Sequence, residues 1–153
     1  MTVRTSATTL LKISAGVPAT FNVAGYSALS YTTVGEVTNI PEFGRTFALV
    51  THKPIATRGE QKFKGGFNEG SIGVALGLDT DDAGQILMKA AALSDSLYAF
   101  SITLPSGDVY YFQGLTMSFK VNVSAVDNIT TATATIELTT SSTGVGIVES
   151  LAA

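Results

Sequence analysis

Asp79, Asp81 and Asp82 come closest, in type and spacing, to residues that could do chemistry. Closely spaced carboxylates in a loop suggest a calcium site, but the later ligands and the closing glutamate of an EF-hand are missing. An aspartate just before an apolar-periodic run does a simpler job. Its side chain caps a helix start, and its charge suits the positive end of the helix dipole. His52 is the only histidine, so a Ser-His-Asp set or an imidazole metal site would have to be built on it. Lys53 and Pro54 beside it supply no partner, and it reads as a loop residue. Gly65, Gly66 and Gly70 fit neither a dinucleotide fingerprint nor a phosphate loop. Gly70-Ser71-Ile72-Gly73 lacks the spacing of a nucleophile elbow. Tyr110, Tyr111 and Phe112 have faces that could stack on bases or sugars, but at strand spacing they read as core and cross-strand packing. With no cysteine in the chain, disulfides and thiolate metal sites are excluded. The expectation is a protein with no catalytic, metal or cofactor site.

The second cluster is basic. Lys53, Arg58, Lys62 and Lys64 fall in one stretch with only Glu60 opposing them, punctuated by Pro54, Gly59 and Gly65-Gly66. Residues 51–66 therefore read as a long basic loop, and loops of that length inside a compact domain are usually functional or disordered. Glu69, Asp79, Asp81, Asp82 and Asp95 follow downstream. Opposed charge blocks of this kind steer association and fix register. Lys53, Arg58, Lys62 and Lys64 on one copy, meeting Asp79, Asp81 and Asp82 on another, are the expected contacts between subunits.

The elements that must hold these clusters are mostly strands. From Leu97 to Thr140 apolar and polar residues alternate, with a turn signal at Pro105-Ser106-Gly107-Asp108 and another at Asp127-Asn128. Leu115, Met117, Phe119, Val121 and Val123 fall on one side, as do Ala132, Ala134, Ile136 and Leu138. Short turns favour antiparallel neighbours, so this stretch predicts a meander of four strands with one apolar and one polar face. Further strands are expected at 34–40, 45–51 and 71–78. Ile86, Leu87, Ala90 and Leu93 change the period to that of an amphipathic helix over 82–94. Residues 1–20 read as an N-terminal arm with Leu10, Leu11 and Ile13 to dock it, and 141–153 as a flexible C-terminal tail.

Composition narrows the function classes. The 153 residues fit one domain, and only 14% are charged against 45% hydrophobic. Roughly a quarter charged is usual, so solubility rests on Thr, Ser, Asn and Gly, a surface that costs little to bury against a partner. A net charge of −3 argues against gripping nucleic acid through a basic field. No apolar run approaches the roughly 20 residues of a membrane span, and Lys12 interrupts the one candidate for a secretory core, so synthesis in the cytoplasm is expected. Asn122-Val-Ser124 and Asn128-Ile-Thr130 match the glycosylation triplet by chance on that reading.

The order of these parts resembles the major tail tube proteins of long-tailed, non-contractile bacteriophages. VGEVTNIPEFG at 34–44 resembles the family's opening strand and turn, and RTFALVT with KFKGGFNEGSIGVAL at 62–76 its long loop and return strand. DTDDAGQILMKAAAL at 79–93 is similar to the helix with its acidic start. LPSGDVYYFQGLTMSF and DNITTATATIEL resemble the closing strands, including the aromatic-Gln-Gly step at Phe112–Gly114. One segment departs: many relatives carry Asp-x-Thr leading into the long loop, where this chain has Val50-Thr51-His52-Lys53. The resemblance implies a mainly β fold, an antiparallel β-sandwich flanked by one short α-helix, whose strands join between subunits into a hexameric ring with an inner β-barrel. It implies a structural virion protein of the phage tail, stacked into a tube that conducts DNA as passing cargo, with no cofactor and no membrane insertion. Its partners would be copies of itself and the tape measure, terminator and distal tail proteins. Two other readings stand beside it: a β-sandwich binding module for glycans or a host surface, and the tube of a type VI secretion machine.

Overall fold

Alternation decides most of the architecture. The computed structural model describes residues 2–152; Met1 and Ala153, the outermost residues of the two expected terminal segments, lie outside them. The first half carries β1 (Leu10–Ser14), α1 (Val23–Ser27), β2 (Thr32–Thr33), β3 (Val37–Asn39), β4 (Thr46–His52) and β5 (Gln61–Asn68). The second half carries β6 (Ser71–Gly77), α2 (Ala83–Ala92), β7 (Tyr98–Thr103), β8 (Val109–Asn122), β9 (Thr131–Thr139) and β10 (Val148–Ser150). The fold is mainly β and antiparallel, a curled sheet forming a half-barrel with a short helix against it. Its strand order is β2-β1-β7-β8-β9-β6-β3, with β10 added to β8, while β4 and β5 pair only with each other.

One face of the curled sheet is the core. Leu11 and Ile13 of β1, Phe100 and Ile102 of β7, Phe112 of β8, Ala132, Ala134 and Ile136 of β9, and Ile72, Val74 and Leu76 of β6 are all buried there, closed over by Met88 and Ala91 of α2. Register explains the shared face, since each lies opposite a core neighbour: Leu11 faces Ile102, Phe100 faces Phe112, and Ile72 faces Ile136. Each such side chain contributes roughly 1.5–3 kcal/mol on burial.

The expected four-strand meander has three strands. β8 runs 14 residues without a turn, passing through the aromatic-Gln-Gly step. Gly114 makes that continuity possible, because a Cβ there would lie 2.7 Å from Ile136 Cγ2 and 2.8 Å from the Glu137 carbonyl. The face assignment along β8 also differs from simple alternation. Thr116 is buried beneath α2, its hydroxyl 3.7 Å from Met88 Sδ, and Met117 is 60% exposed. A bulge between Thr116 and Ser118 inserts the extra residue. Phe112, Gly114 and Thr116 face the core before it; Phe119 and Val121, opposite Ala134 and Ala132, turn back to that side after it.

Both chain ends are more ordered than their composition suggests. The expected N-terminal arm contains β1, an interior strand of the sheet between β2 and β7. Five residues of alternating burial were enough, with Leu11 and Ile13 inward. The segment after it forms α1, a five-residue helix capped by Asn22, whose Oδ1 accepts from the Gly25 N–H at 2.9 Å. It lays Tyr26 on the opposite face of the sheet, stacked on Tyr111 at 5.6 Å. In the expected flexible tail, β10 pairs with Val109–Tyr111, the part of β8 that β9 does not reach. The Ala152 N–H then donates to Asp108 Oδ1 at 2.7 Å, while Ser106 donates to Oδ2 at 2.9 Å. These donors hold the Asp108 carboxyl below the usual carboxylate range.

Candidate functional site

The expected basic loop is the end of a hairpin. His52 is the last residue of β4, and Gln61 to Asn68 form β5, so Lys62 and Lys64 sit on a strand opposite Thr51 and Leu49. Only residues 53–60 connect the two strands. The physical reason is legible after the fact. Phe63, Gly65 and Phe67 alternate with Lys62, Lys64 and Gly66, a period-two pattern that the glycines and the positive charge obscure. Lys53 and Arg58 lie in the connection itself. There the Arg58 N–H donates to the Pro54 carbonyl at 3.1 Å, and Arg58 takes a φ of 60°, a left-handed backbone uncommon outside glycine.

This hairpin projects from the rest of the subunit. Every residue of β4 and every residue of β5 except Gly65 is exposed. The register puts Phe47, Leu49, Lys64 and Phe67 on one of its faces and Val50 and Phe63 on the other, with a bulge at Gly65-Gly66 taking up the extra residue of β5. Lys64 Nζ reaches 4.9 Å from the Phe47 ring centroid. A two-stranded ribbon is at best marginally stable by itself, and apolar side chains half in water do not help it.

What anchors it is at the root. Arg45 immediately precedes β4 and Glu69 immediately follows β5. Arg45 Nε meets Glu69 Oε1 at 2.7 Å, and its guanidinium lies 3.8 Å over the Phe67 ring. Glu69 is buried, and this is the one ion pair among the described residues. Sequence reasoning missed the clamp. Its signal was two opposite charges bracketing one strand pair. Gly70, with φ 83°, then turns the chain into β6.

The acidic cluster splits into two roles. Asp82 caps α2, which begins one residue after it: Oδ2 accepts from the Gln85 N–H at 2.9 Å and from the Gly35 N–H at 2.9 Å. Gln85 is buried and completes the joint, donating from Nε2 to the Gly35 and Gly77 carbonyls and accepting the Asp79 N–H through Oε1. Asp82 is therefore engaged within its own subunit. Asp79 and Asp81 are exposed; Asp79 Oδ1 only accepts the Asp81 N–H at 3.0 Å. Within one chain the basic and acidic sets do not meet. The hairpin's root joins β6 at Ser71 and the acidic turn leaves it after Gly77, so root and turn stand roughly 20 Å apart along the strand axis.

The aromatic residues offered as stacking surfaces are used in packing. Tyr111 stacks on Tyr26, Tyr110 meets Phe43 edge-on at 5.3 Å, and Phe112 stacks on Phe100 at 5.4 Å. His52 has no neighbouring ligand set, and among the described residues no three His, Asp or Glu side chains are grouped to hold a metal. No helix among them is long and apolar enough to cross a membrane.

This fold also occurs in injection machines. A chain of the anti-feeding prophage baseplate, a six-fold symmetrised cryo-EM structure, superposes with a TM-score of 0.62 at 9% identity, covering 91% of this chain and 93% of that one. A chain from the sheath/tube terminator of an extracellular contractile injection system, PVC, in its extended state, superposes with a TM-score of 0.65 at 6% identity, covering 99% of each. No family model and no curated protein sequence matches the chain. At these identities the likeness is one of fold, and it spans nearly the whole subunit.

Proposed function

We propose that this chain is a structural, non-catalytic subunit of a phage tail that assembles with copies of itself into hexameric rings stacked as a hollow tube. The tube delivers DNA to the host as passing cargo, and the subunit resides in the virion, joined at the tube ends by other tail proteins. The observation that carries this reading is the β4–β5 hairpin, an exposed two-stranded ribbon with apolar side chains on both faces and a basic end, clamped at its root, which joins β6 at the end opposite the acidic turn of the same subunit. Such a pair of surfaces at opposite ends is what a head-to-tail, propagating contact needs. The shared fold with a six-fold symmetrised baseplate chain supports the ring, and the sequence resemblance to non-contractile tail tubes supports the tube. Uncharged Thr, Ser and Asn on the open strand faces suit a channel that passes DNA instead of holding it.

Reversing Arg58 and Lys62 to Glu tests the reading. The double variant folds, because both side chains are exposed, and tube growth weakens; tubes of ordinary length at ordinary rate overturn it. A second reading, the same subunit role in a contractile machine, is favoured by the origin of both structural neighbours. A tube that recruits a sheath protein around it on co-expression selects that reading over the non-contractile one.

A further inference from the structure

The β4–β5 connection presents a single apolar knob. Ile55 is 97% exposed, flanked by Lys53 and Arg58, and held at the crest of the turn closed by the Arg58-to-Pro54 hydrogen bond. An isoleucine left in water between two cations has no folding role in its own subunit.

A matching hollow lies where the chain leaves β6, at the end away from the hairpin's root. A groove of about 380 Å³ runs between α2 and β8, lined by Leu78, Ile86, Lys89, Ala90, Leu93 and Phe119. Ile86 and Leu93 are exposed, the latter by 87%, so the outward side of α2 is an apolar strip that the subunit leaves uncovered. Asp79 lines its mouth, with Asp81 just beyond. Lys89 is the one cation in the lining, and its stem can lie along apolar surface with its charge in water.

We infer that the groove between α2 and β8 receives Ile55 from the hairpin of a second copy of this chain, with Lys53 and Arg58 meeting Asp79 and Asp81 at its mouth. Three features on the same molecule select that occupant. The knob is apolar and flanked by positive charge, the groove is apolar and rimmed by negative charge, and the hairpin that carries the knob is rooted at the end of β6 opposite the groove. A copy can therefore use its knob on one neighbour while offering its groove to another, which extends without closing on itself. This docking rests on the tube reading and refines it, assigning the specificity of stacking to one side chain and one groove, with the charges setting approach and register.

The chain has no cysteine, so an Ile55→Cys, Leu93→Cys double variant reports the contact directly. Assembled and mildly oxidised, it is expected to give a ladder of covalent oligomers on a non-reducing gel, while each single-cysteine variant stays free of a ladder. Ile55→Asp, which changes a side chain with no contact to lose at home, is expected to raise the concentration needed for tube growth at least about tenfold. Hollow tubes that form without a ladder, or at unchanged concentration with Ile55→Asp, overturn the docking and leave the tube reading standing. Single subunits at every concentration, with no ladder, overturn both.

Discussion

Arg45 Nε lies 2.7 Å from Glu69 Oε1 at the root of the β4–β5 hairpin, with the Glu69 carboxylate buried and the guanidinium laid over Phe67. One bond ties the residue before the first strand to the residue after the second, so the hairpin leaves the subunit at a fixed angle. Gly146 passes against the same carboxylate, which links the C-terminal segment to the clamp.

Arg45→Ala leaves that buried carboxylate without its cation. Removing one partner of a buried pair is costly, and with Arg45 partly in water the expected loss is about 2 kcal/mol, read as a lowered midpoint in urea unfolding. Hydrogen exchange in β4 and β5 rises at the same time, while the protected amides of β7 and β9 keep their order of exchange. Unchanged hairpin exchange removes the clamp from the account.

Asp82→Ala removes two bonds from one oxygen, the α2 cap and the anchor of the Gly35 N–H. A lost cap alone costs about 1 kcal/mol, and the part-buried Gly35 N–H left unpaired adds to it. Asp82→Asn restores much of the loss, because an amide oxygen still accepts. Asp79→Asn and Asp81→Asn leave thermal stability within about 0.5 kcal/mol, since both side chains are exposed. A comparison of thermal melts across the four variants separates the structural aspartate from the two available for a partner.

High pH is expected to destabilise this protein through its buried tyrosines. Burial pushes the Tyr26 phenol up to about 12, and burial pushes Tyr31 further in the same direction, with Tyr111 and Tyr26 adding to it. A group whose pKa is higher folded than unfolded contributes stability that is complete below the unfolded value and declines as pH rises towards the folded one. For Tyr26 that window runs from about pH 10 to about 12, with a slope of up to about 1.4 kcal/mol per unit. Tyr26→Phe flattens the fall across this window in urea unfolding, with near-neutral stability little changed because the ring still stacks on Tyr111.

The sheet was legible in the sequence wherever alternation survived intact: β6 and β9 bury the residues that period two selects, and α2 lies inside its expected span. Legibility failed where a local device changed the count. The bulge at Met117 exchanges the two faces of β8 midway, and nothing in LTMSF marks the extra residue. β5 was concealed by Gly65-Gly66 and its lysines, which made a strand read as a loop. β1 and β10 are short segments whose order comes from pairing with distant strands, a tertiary effect that local composition does not record. Of the basic and acidic residues, sequence identified both clusters but not their division of labour. Asp82 and Gln85 became a joint because Gly35 lies beside them in space, 47 and 50 positions away in the chain.

Negative-stain electron microscopy of the purified protein at rising concentration tests the central claim most directly. The account predicts hollow tubes, with six-fold rings in end view, once concentration is high enough for head-to-tail stacking. Uniform small particles at every concentration, including in the presence of preformed tube ends, contradict it.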